Sequence, residues 1–164
     1  MTEPANPVER VLEFLRQAGG EARIEEFPDG TPTAQAAADA VGCKLGQIVK
    51  SLVFDCDGTP VLAMVPGDRK ADARKLAAAA GAAKARVAAP ERVEEVTGFP
   101  PGAVAPFPLP RVEHVYLDRR LLLHDQLWVG AGSERHMATL TPPELIRLSR
   151  AQPADLTAED QPDL

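Results

Sequence analysis

Ile48, Lys50, Leu52 and Phe54 alternate with Val49, Ser51 and Val53, so a strand over 47–54 would have two faces, neither polar enough for open water. This pattern predicts a central strand carrying one cation on an apolar face. Asn6-Pro7 followed by Val8, Val11, Leu12 and Leu15 supplies a cap, a first-turn proline and an apolar stripe at helical spacing, ended by Gly19-Gly20. A short strand over 22–27 stops at Pro28-Asp29-Gly30, and Thr31-Pro32-Thr33 opens an alanine-rich helix that ends near Gly42. Asp57-Gly58 between two apolar runs predicts a hairpin that returns as a strand over 59–65. A helix over 72–80, a weak strand over 83–87 and a helix over 90–97 follow. Five prolines and two glycines over 98–110 exclude a regular element there. Strands are predicted over 113–117, 126–129 and 135–140, with a turn or short helix over 118–122 and a backbone-rich loop over 130–133. Thr141-Pro142-Pro143-Glu144 is a capping box with proline at the first helical position, which predicts a helix over 141–149.

Strands and helices are mixed without a regular βα repeat, so the class is α/β or α+β with a mixed sheet. A chain of 164 residues with 45% hydrophobic content suits one domain, placed at 1–157, with an acidic, frayed tail over 158–164. Aromatic residues are only 4% of the chain, so Val, Leu and Ala must build the core. A net charge of -6 argues against wrapping a long stretch of nucleic acid, which needs clustered Lys and Arg, but allows a short contact with a nucleic-acid end. Cys43 and Cys56 have neither CxxC nor metal-ligand spacing, which fits a reducing compartment. No apolar run is long enough for a signal or a membrane span, and the expected location is the cytoplasm, with no membrane partner.

The chemistry starts at Lys50. An ammonium on an apolar face needs an anion or acceptors; either it snorkels to solvent or a ligand such as a phosphate meets it. Asp55-Cys56-Asp57-Gly58-Thr59 matches the DxDGT signature of haloacid-dehalogenase-type phosphatases, yet the further acidic pair that holds their magnesium has no counterpart in the chain. His114, His124 and His136 share no helical face, so no metal site is expected, nor any cofactor. Cys56 sits between two aspartates that raise its thiol pKa. Ser133 lacks a GxSxG elbow and an obvious histidine base. The small residues of Gly102–Pro106 and Gly130–Ser133 can bring peptide N–H groups close to a carbonyl or phosphate, or can simply be tight turns.

The block from Thr31 to Phe54 (TPTAQAAADAVGCKLGQIVKSLVF), the GxxxP run Gly102–Pro106, the WVGAGS run ending at Ser133 and the LTPPEL run ending at Leu145 resemble, in order, the YbaK/EbsC family. That family comprises the editing domain of bacterial prolyl-tRNA synthetases and its free-standing relatives. The resemblance implies a single mixed α/β domain with a curved, barrel-like sheet flanked by helices. It implies a trans-editing deacylase that hydrolyses the ester of a mischarged tRNA, tRNA-Pro or a related one, at the terminal adenosine. Lys50 would be the catalytic residue. Substrate would be positioned by Gly102, Ala103, Val104, Ala105 and Pro106, and by Gly130, Gly132 and Ser133. Peptide N–H groups of Ala103–Ala105 would stabilise the oxyanion, and the substrate's own ribose hydroxyl or side-chain thiol would assist attack in place of a protein nucleophile. The implied partner is the CCA end of aminoacylated tRNA, with prolyl-tRNA synthetase or an elongation factor met transiently; a homodimer is compatible. Relatives of this kind often carry a second glycine where Ala103 stands and a glycine, often with histidine, just after the loop proline, where this chain has Phe107-Pro108-Leu109. The position of an aspartate associated with clearing cysteine falls on Met137. The amino acid removed is therefore open, and a non-catalytic binding or regulatory module on the same fold is the second reading.

Overall fold

The computed structural model describes residues 6–159. The first helix, α1 (Pro7–Ala18), is capped as its sequence requires: the Asn6 side chain accepts from Glu9 N–H at 2.8 Å, and Gly19 closes the far end. Strand β1 (Arg23–Glu26) leads to α2 (Ala34–Val41), capped by Thr33 and stopped by Gly42 in the left-handed conformation. A 3-10 turn, Leu45–Gln47, then feeds β2 (Val49–Cys56). β2 returns as β3 (Thr59–Pro66) through Asp57-Gly58, both at positive φ, as a two-residue hairpin turn demands. Helices α3 (Ala73–Ala80) and α4 (Pro90–Thr97) bracket the short β4 (Ala85–Val87). After the proline-rich segment come β5 (His114–Asp118), a 3-10 turn over Arg119–Leu123, β6 (Leu127–Ser133), β7 (His136–Leu140), α5 (Pro142–Ser149) and β8 (Gln152–Ala154).

The mixed α/β class holds, but the strands do not close into a barrel. Among the described residues they form two sheets, β1-β7-β6 and β4-β2-β3-β5-β8, linked by a parallel bridge between Ile48 and Trp128. In the larger sheet β2 is antiparallel to β3 and β4, whereas β3, β5 and β8 run parallel. The alternation in β2 is reproduced. Val49 and Val53, with Leu62, Met64 and Leu117, face the main core, which α1, α4, α5 and the smaller sheet complete. Phe54 and Cys56, with Val61, Ala63, Val65 and Tyr116, face a second cluster under α3. No helix among the described residues is long and apolar enough to cross a membrane.

Two expectations are corrected by the backbone. Residues 130–133 are the end of β6, not a loop: a register shift between Gly130 and Ser133 lets a strand accommodate residues that read as a glycine-rich turn. β8 has no strand signature in Gln152-Pro153-Ala154 and exists because β5 offers it an edge. Residues 1–5 and 160–164 lie outside the described residues, and with them most of the predicted tail. Ala158, the first residue of that tail, is tied down, since its N–H donates to Lys70 O at 2.9 Å.

The C-terminal segment acts as a strap across residues 70–75. Asp72 N–H donates to Leu156 O at 2.7 Å, Ala71 bridges Thr157, and the Lys75 ammonium reaches Thr157 O at 2.8 Å. The buried carboxylate of Asp118 holds the strap, accepting from Leu156 N–H at 2.8 Å and Arg120 N–H at 3.0 Å. Asp118→Ala orphans both donors and is expected to cost about 3 kcal/mol in a urea-unfolding experiment, in the range for losing charged, buried hydrogen bonds. A loss below about 1 kcal/mol would show that the strap does not depend on it.

Candidate functional site

The strap matters because the segment it secures carries the partner of Lys50. Gly67 turns the chain after β3 with no room for a side chain: a Cβ there would lie 2.6 Å from Leu45 O and 3.2 Å from Ile48 O. Its own N–H donates to Ile48 O at 2.7 Å. This close approach brings the Arg69 carbonyl to Lys50, whose Nζ donates to it in a short hydrogen bond. The lysine is half-buried, so its ammonium is neither in bulk solvent nor without an acceptor. Burial pushes its pKa below the ordinary lysine value; the nearby Asp68 carboxylate opposes that shift and Lys70 adds to it.

Beside Lys50 lies a cavity of about 220 Å³. β2 lines it from Ile48 to Leu52, the start of α2 with Thr33, Ala34 and Ala37, the proline-rich segment with Gly102, Ala103 and Val104, and the β6–β7 hairpin with Gly130, Ser133, His136 and Met137. Of the residues expected to position substrate, five are therefore brought together with Lys50: Gly102, Ala103, Val104, Gly130 and Ser133. Three are not. Ala105 is completely buried in the main core, Pro106 faces a different groove beside Arg10 and Phe14, and Gly132 abuts the first turn of α1. The oxyanion expectation narrows as well, because Ala103 N–H already donates to Pro100 O at 3.0 Å. Val104 is left as the peptide with a free N–H that both lines the cavity and has no main-chain acceptor among the described residues.

The two glycines of β6 serve the protein's own backbone. A Cβ on Gly130 would stand 2.6 Å from Val104 O, and one on Gly132, at φ +101°, would stand 2.8 Å from Pro7 C. Their small size docks the GxxxP segment and α1 onto the sheet rather than opening room for a ligand.

Sequence reasoning missed His136. Its Nδ1 lies 2.6 Å from Ser133 Oγ, and its Nε2 is 3.9 Å from a Glu26 carboxylate oxygen. Ser133 Oγ also accepts from Arg135 N–H at 3.0 Å, so the hydroxyl is tied both to the turn and to the imidazole. So Ser133 does have a histidine beside it, and the pair faces the cavity. The signal was present: Glu134-Arg135 is a two-residue turn, and reading 130–133 as strand makes Ser133 and His136 cross-strand neighbours.

The competing signatures have structural uses. Asp57 accepts from Ala83 N–H at 2.8 Å and Lys84 N–H at 3.1 Å, and Asp55 pairs with Arg92 at 3.2 Å, so the DxDGT run is a hairpin end tied to its neighbours. Cys56 is buried, and burial together with Asp57 and Asp55 pushes its thiol pKa up.

With that geometry in place, residues 29–148 match the aminoacyl-tRNA editing domain. The chain belongs to the aminoacyl-tRNA editing family. It is thus a hydrolase of the aminoacyl-tRNA ester class. It is 37% identical over 127 residues to the uncharacterized protein YwhH of Bacillus subtilis, covering 77% of this chain and 80% of YwhH. It is 29% identical over 149 residues to the multifunctional Ser/Thr-tRNA deacylase ProXp-y of Escherichia coli, covering 88% of this chain and 89% of the relative. A crystal structure of a candidate trans-editing enzyme for prolyl tRNA synthetase superposes with a TM-score of 0.88 at 38% identity, over 96% of this chain and all of that one. The matched editing-domain region contains every residue lining the cavity.

Two outcomes test this geometry. In Gly130→Ala the new methyl must displace the Val104 carbonyl, costing about 1–3 kcal/mol as overpacking does and moving the Val104 amide signal; an unmoved amide would show that the docking is not tight. Asp68→Asn removes the charge that sustains the Lys50 ammonium, so the Lys50 Cε titration followed by NMR shifts to lower pH, whereas Lys70→Ala shifts it to higher pH. Shifts of the opposite sign would refute the assignment of those neighbours.

Proposed function

We propose that the protein is a trans-editing deacylase that removes a wrong amino acid from the terminal adenosine of tRNA-Pro or a related tRNA. One observation carries the reading: a half-buried, partly desolvated ammonium, a peptide N–H at Val104 and the Ser133–His136 pair line the same small cavity. At about 220 Å³ it is smaller than the roughly 300–1,000 Å³ pockets that enclose whole drug-sized ligands. That size suits the aminoacyl end of a large substrate whose remainder stays outside. A chain of net charge -6 suits contact confined to the CCA end.

In this reading water adds to the ester carbonyl carbon, the bond from that carbon to the ribose oxygen breaks, and the ribose oxygen leaves with a proton. The developing oxyanion is stabilised by Val104 N–H and the Lys50 cation, both fixed before the reaction begins. The neighbouring ribose hydroxyl takes part in the proton transfer. Ser133, already bonded to Arg135 and His136, orients the imidazole in the cavity wall rather than attacking. The hydroxyl and imidazole groups in the lining, which also includes Thr31 and Thr33, favour a small polar amino acid such as serine or threonine over alanine. A homodimer is compatible with this reading. Prolyl-tRNA synthetase or an elongation factor would be met only as the tRNA changes hands.

The test is a panel of tRNAs charged with alanine, cysteine, serine or threonine. Hydrolysis of at least one is expected, with Lys50→Ala lowering kcat/KM by about 10²–10³, the scale for losing one transition-state-stabilising group. Ser133→Ala should retain most activity and no acyl-enzyme should be trapped by hydroxylamine. Binding of charged tRNA without release for every pairing would replace the enzyme with a binding module.

A further inference from the structure

The wall of the cavity is an interruption in the larger sheet. β3 accompanies β2 along its full length on one side. On the other side β4 covers only Phe54–Cys56, and the bridge between Ile48 and Trp128 lies beyond the opposite end. Between these two contacts no strand among the described residues pairs with β2 on that side.

The direction of the open peptide groups follows from one hydrogen bond. Ala88 N–H donates to Val53 O at 3.0 Å, so the Val53 carbonyl faces the side of β4. In an antiparallel ladder the N–H and C=O facing a given neighbour recur at every second residue. The N–H and C=O of Ser51 therefore face the same side, at a point where β4 has not yet begun. Among the described residues no main-chain partner meets either group. Both open toward the cavity that Ser51 lines.

A second observation falls on the same residue. Ser51 Oγ is occluded from solvent and has no hydrogen-bond partner. Buried hydroxyls are nearly always partnered, so an unpartnered one in the wall of a cavity is an exception that calls for a functional or structural reason.

We propose that Ser51 is the amino-acid subsite, and that the aminoacyl group docks on the open edge of β2 as a single added residue of the sheet. The substrate α-ammonium donates to Ser51 C=O and its ester carbonyl accepts from Ser51 N–H, the paired exchange made by two hydrogen-bonded residues of an antiparallel ladder. This inference rests on the deacylase reading and adds to it the recognition of the α-amino acid itself. It requires a free α-amine, and it places the ester carbonyl on a fixed donor before attack.

The experiment uses full-length protein in which Ser51 is replaced by its α-hydroxy acid analogue through nonsense suppression, turning the 50–51 peptide into an ester, which deletes that N–H and weakens only the Lys50 carbonyl as an acceptor toward β3. Because this N–H has no partner in the fold, the expected urea midpoint is near that of the wild type, while kcat/KM on charged tRNA falls about 10- to 100-fold, the loss expected for one hydrogen bond to a reacting polar group. The same replacement at Leu52, whose N–H faces β3, is expected to lower the midpoint clearly. In parallel, a non-hydrolysable 3′-aminoacylamido adenosine is titrated against ¹⁵N-labelled protein. The Ser51 amide should exchange rapidly in the free protein and shift on addition, and the α-hydroxyacyl counterpart should bind at least tenfold more weakly. A Ser51 amide protected in the free protein, full activity of the Ser51 ester variant, or equal binding of the two analogues would overturn the subsite. Failure of the wild type to release any amino acid is a separate result: it ends the deacylase reading, and analogue binding then decides whether Ser51 still holds an aminoacyl group.

Discussion

A cation inside a mostly apolar wall is tolerated when something fixed accepts its protons, and here that acceptor is a single peptide carbonyl. Arg69 O can reach Lys50 only because the turn after β3 lies flat against the backbone of Leu45 and Ile48, where Gly67 leaves no side chain to keep them apart. The turn stays there because the following residues are strapped by the C-terminal segment, which Asp118 holds from beneath. The chain of dependence thus runs from a buried carboxylate, through a strap and a turn, to the protonation of one amine. One carbonyl does not replace the hydration shell of an ammonium, so Lys50 remains partly desolvated and below its ordinary pKa. An amine in that state gains from any further acceptor brought beside it, such as an ester oxygen acquiring charge.

The cavity arises from the way the two sheets part. They meet at one bridge, Ile48 to Trp128, and diverge as β2 continues toward β4. The fork would collapse or fill with water if nothing spanned it. It is spanned by the GxxxP segment, whose Val104 carbonyl rests on β6 where Gly130 has no side chain. Its prolines suit this position: an irregular segment held by few hydrogen bonds keeps its shape better when its φ angles are restricted. The fork is thus lined by main-chain atoms on two sides, β2 and the GxxxP segment, and by short side chains elsewhere.

Much of this was legible in the sequence where local rules decide. Every helix appeared close to its expected span because caps, first-turn prolines and terminal glycines act within a few residues, and the Asp57-Gly58 hairpin followed from the same kind of rule. Lys50 was singled out because a charge in an apolar strand violates its local pattern. What failed to show depended on distant partners. Gly130 and Gly132 read as a loop because glycine disfavours strands, whereas their purpose is to receive Val104 and Pro7, which lie 26 and more residues away in sequence. Reading them as a loop also hid the Ser133–His136 pair, since cross-strand neighbours are visible only once the strand is drawn. β8 and the separation into two sheets depend on which edges remain unfilled, and no window of sequence reports that. The resemblance supplied the order of the blocks and the activity class, but not which members of each block reach the cavity: Ala105 and Pro106 fall in the GxxxP run and yet face away from it.

The same distinction bears on how such a site selects its substrate. Side chains distinguish one amino acid from another, but an editing enzyme must first recognise that an amino acid is present at all, whatever its side chain. Groups common to every amino acid, an ammonium and a carbonyl on adjacent atoms, are complemented by groups common to every residue, a peptide C=O and N–H at matching spacing. A strand edge left open supplies that pair without committing any side chain. On the proposed docking, discrimination is left to the side chains around it, here Met137, Ser133 and His136 in the cavity lining. Such an arrangement lets specificity change by substitution at the wall while the means of holding the scissile ester stays in the backbone, where most side-chain substitutions do not reach it.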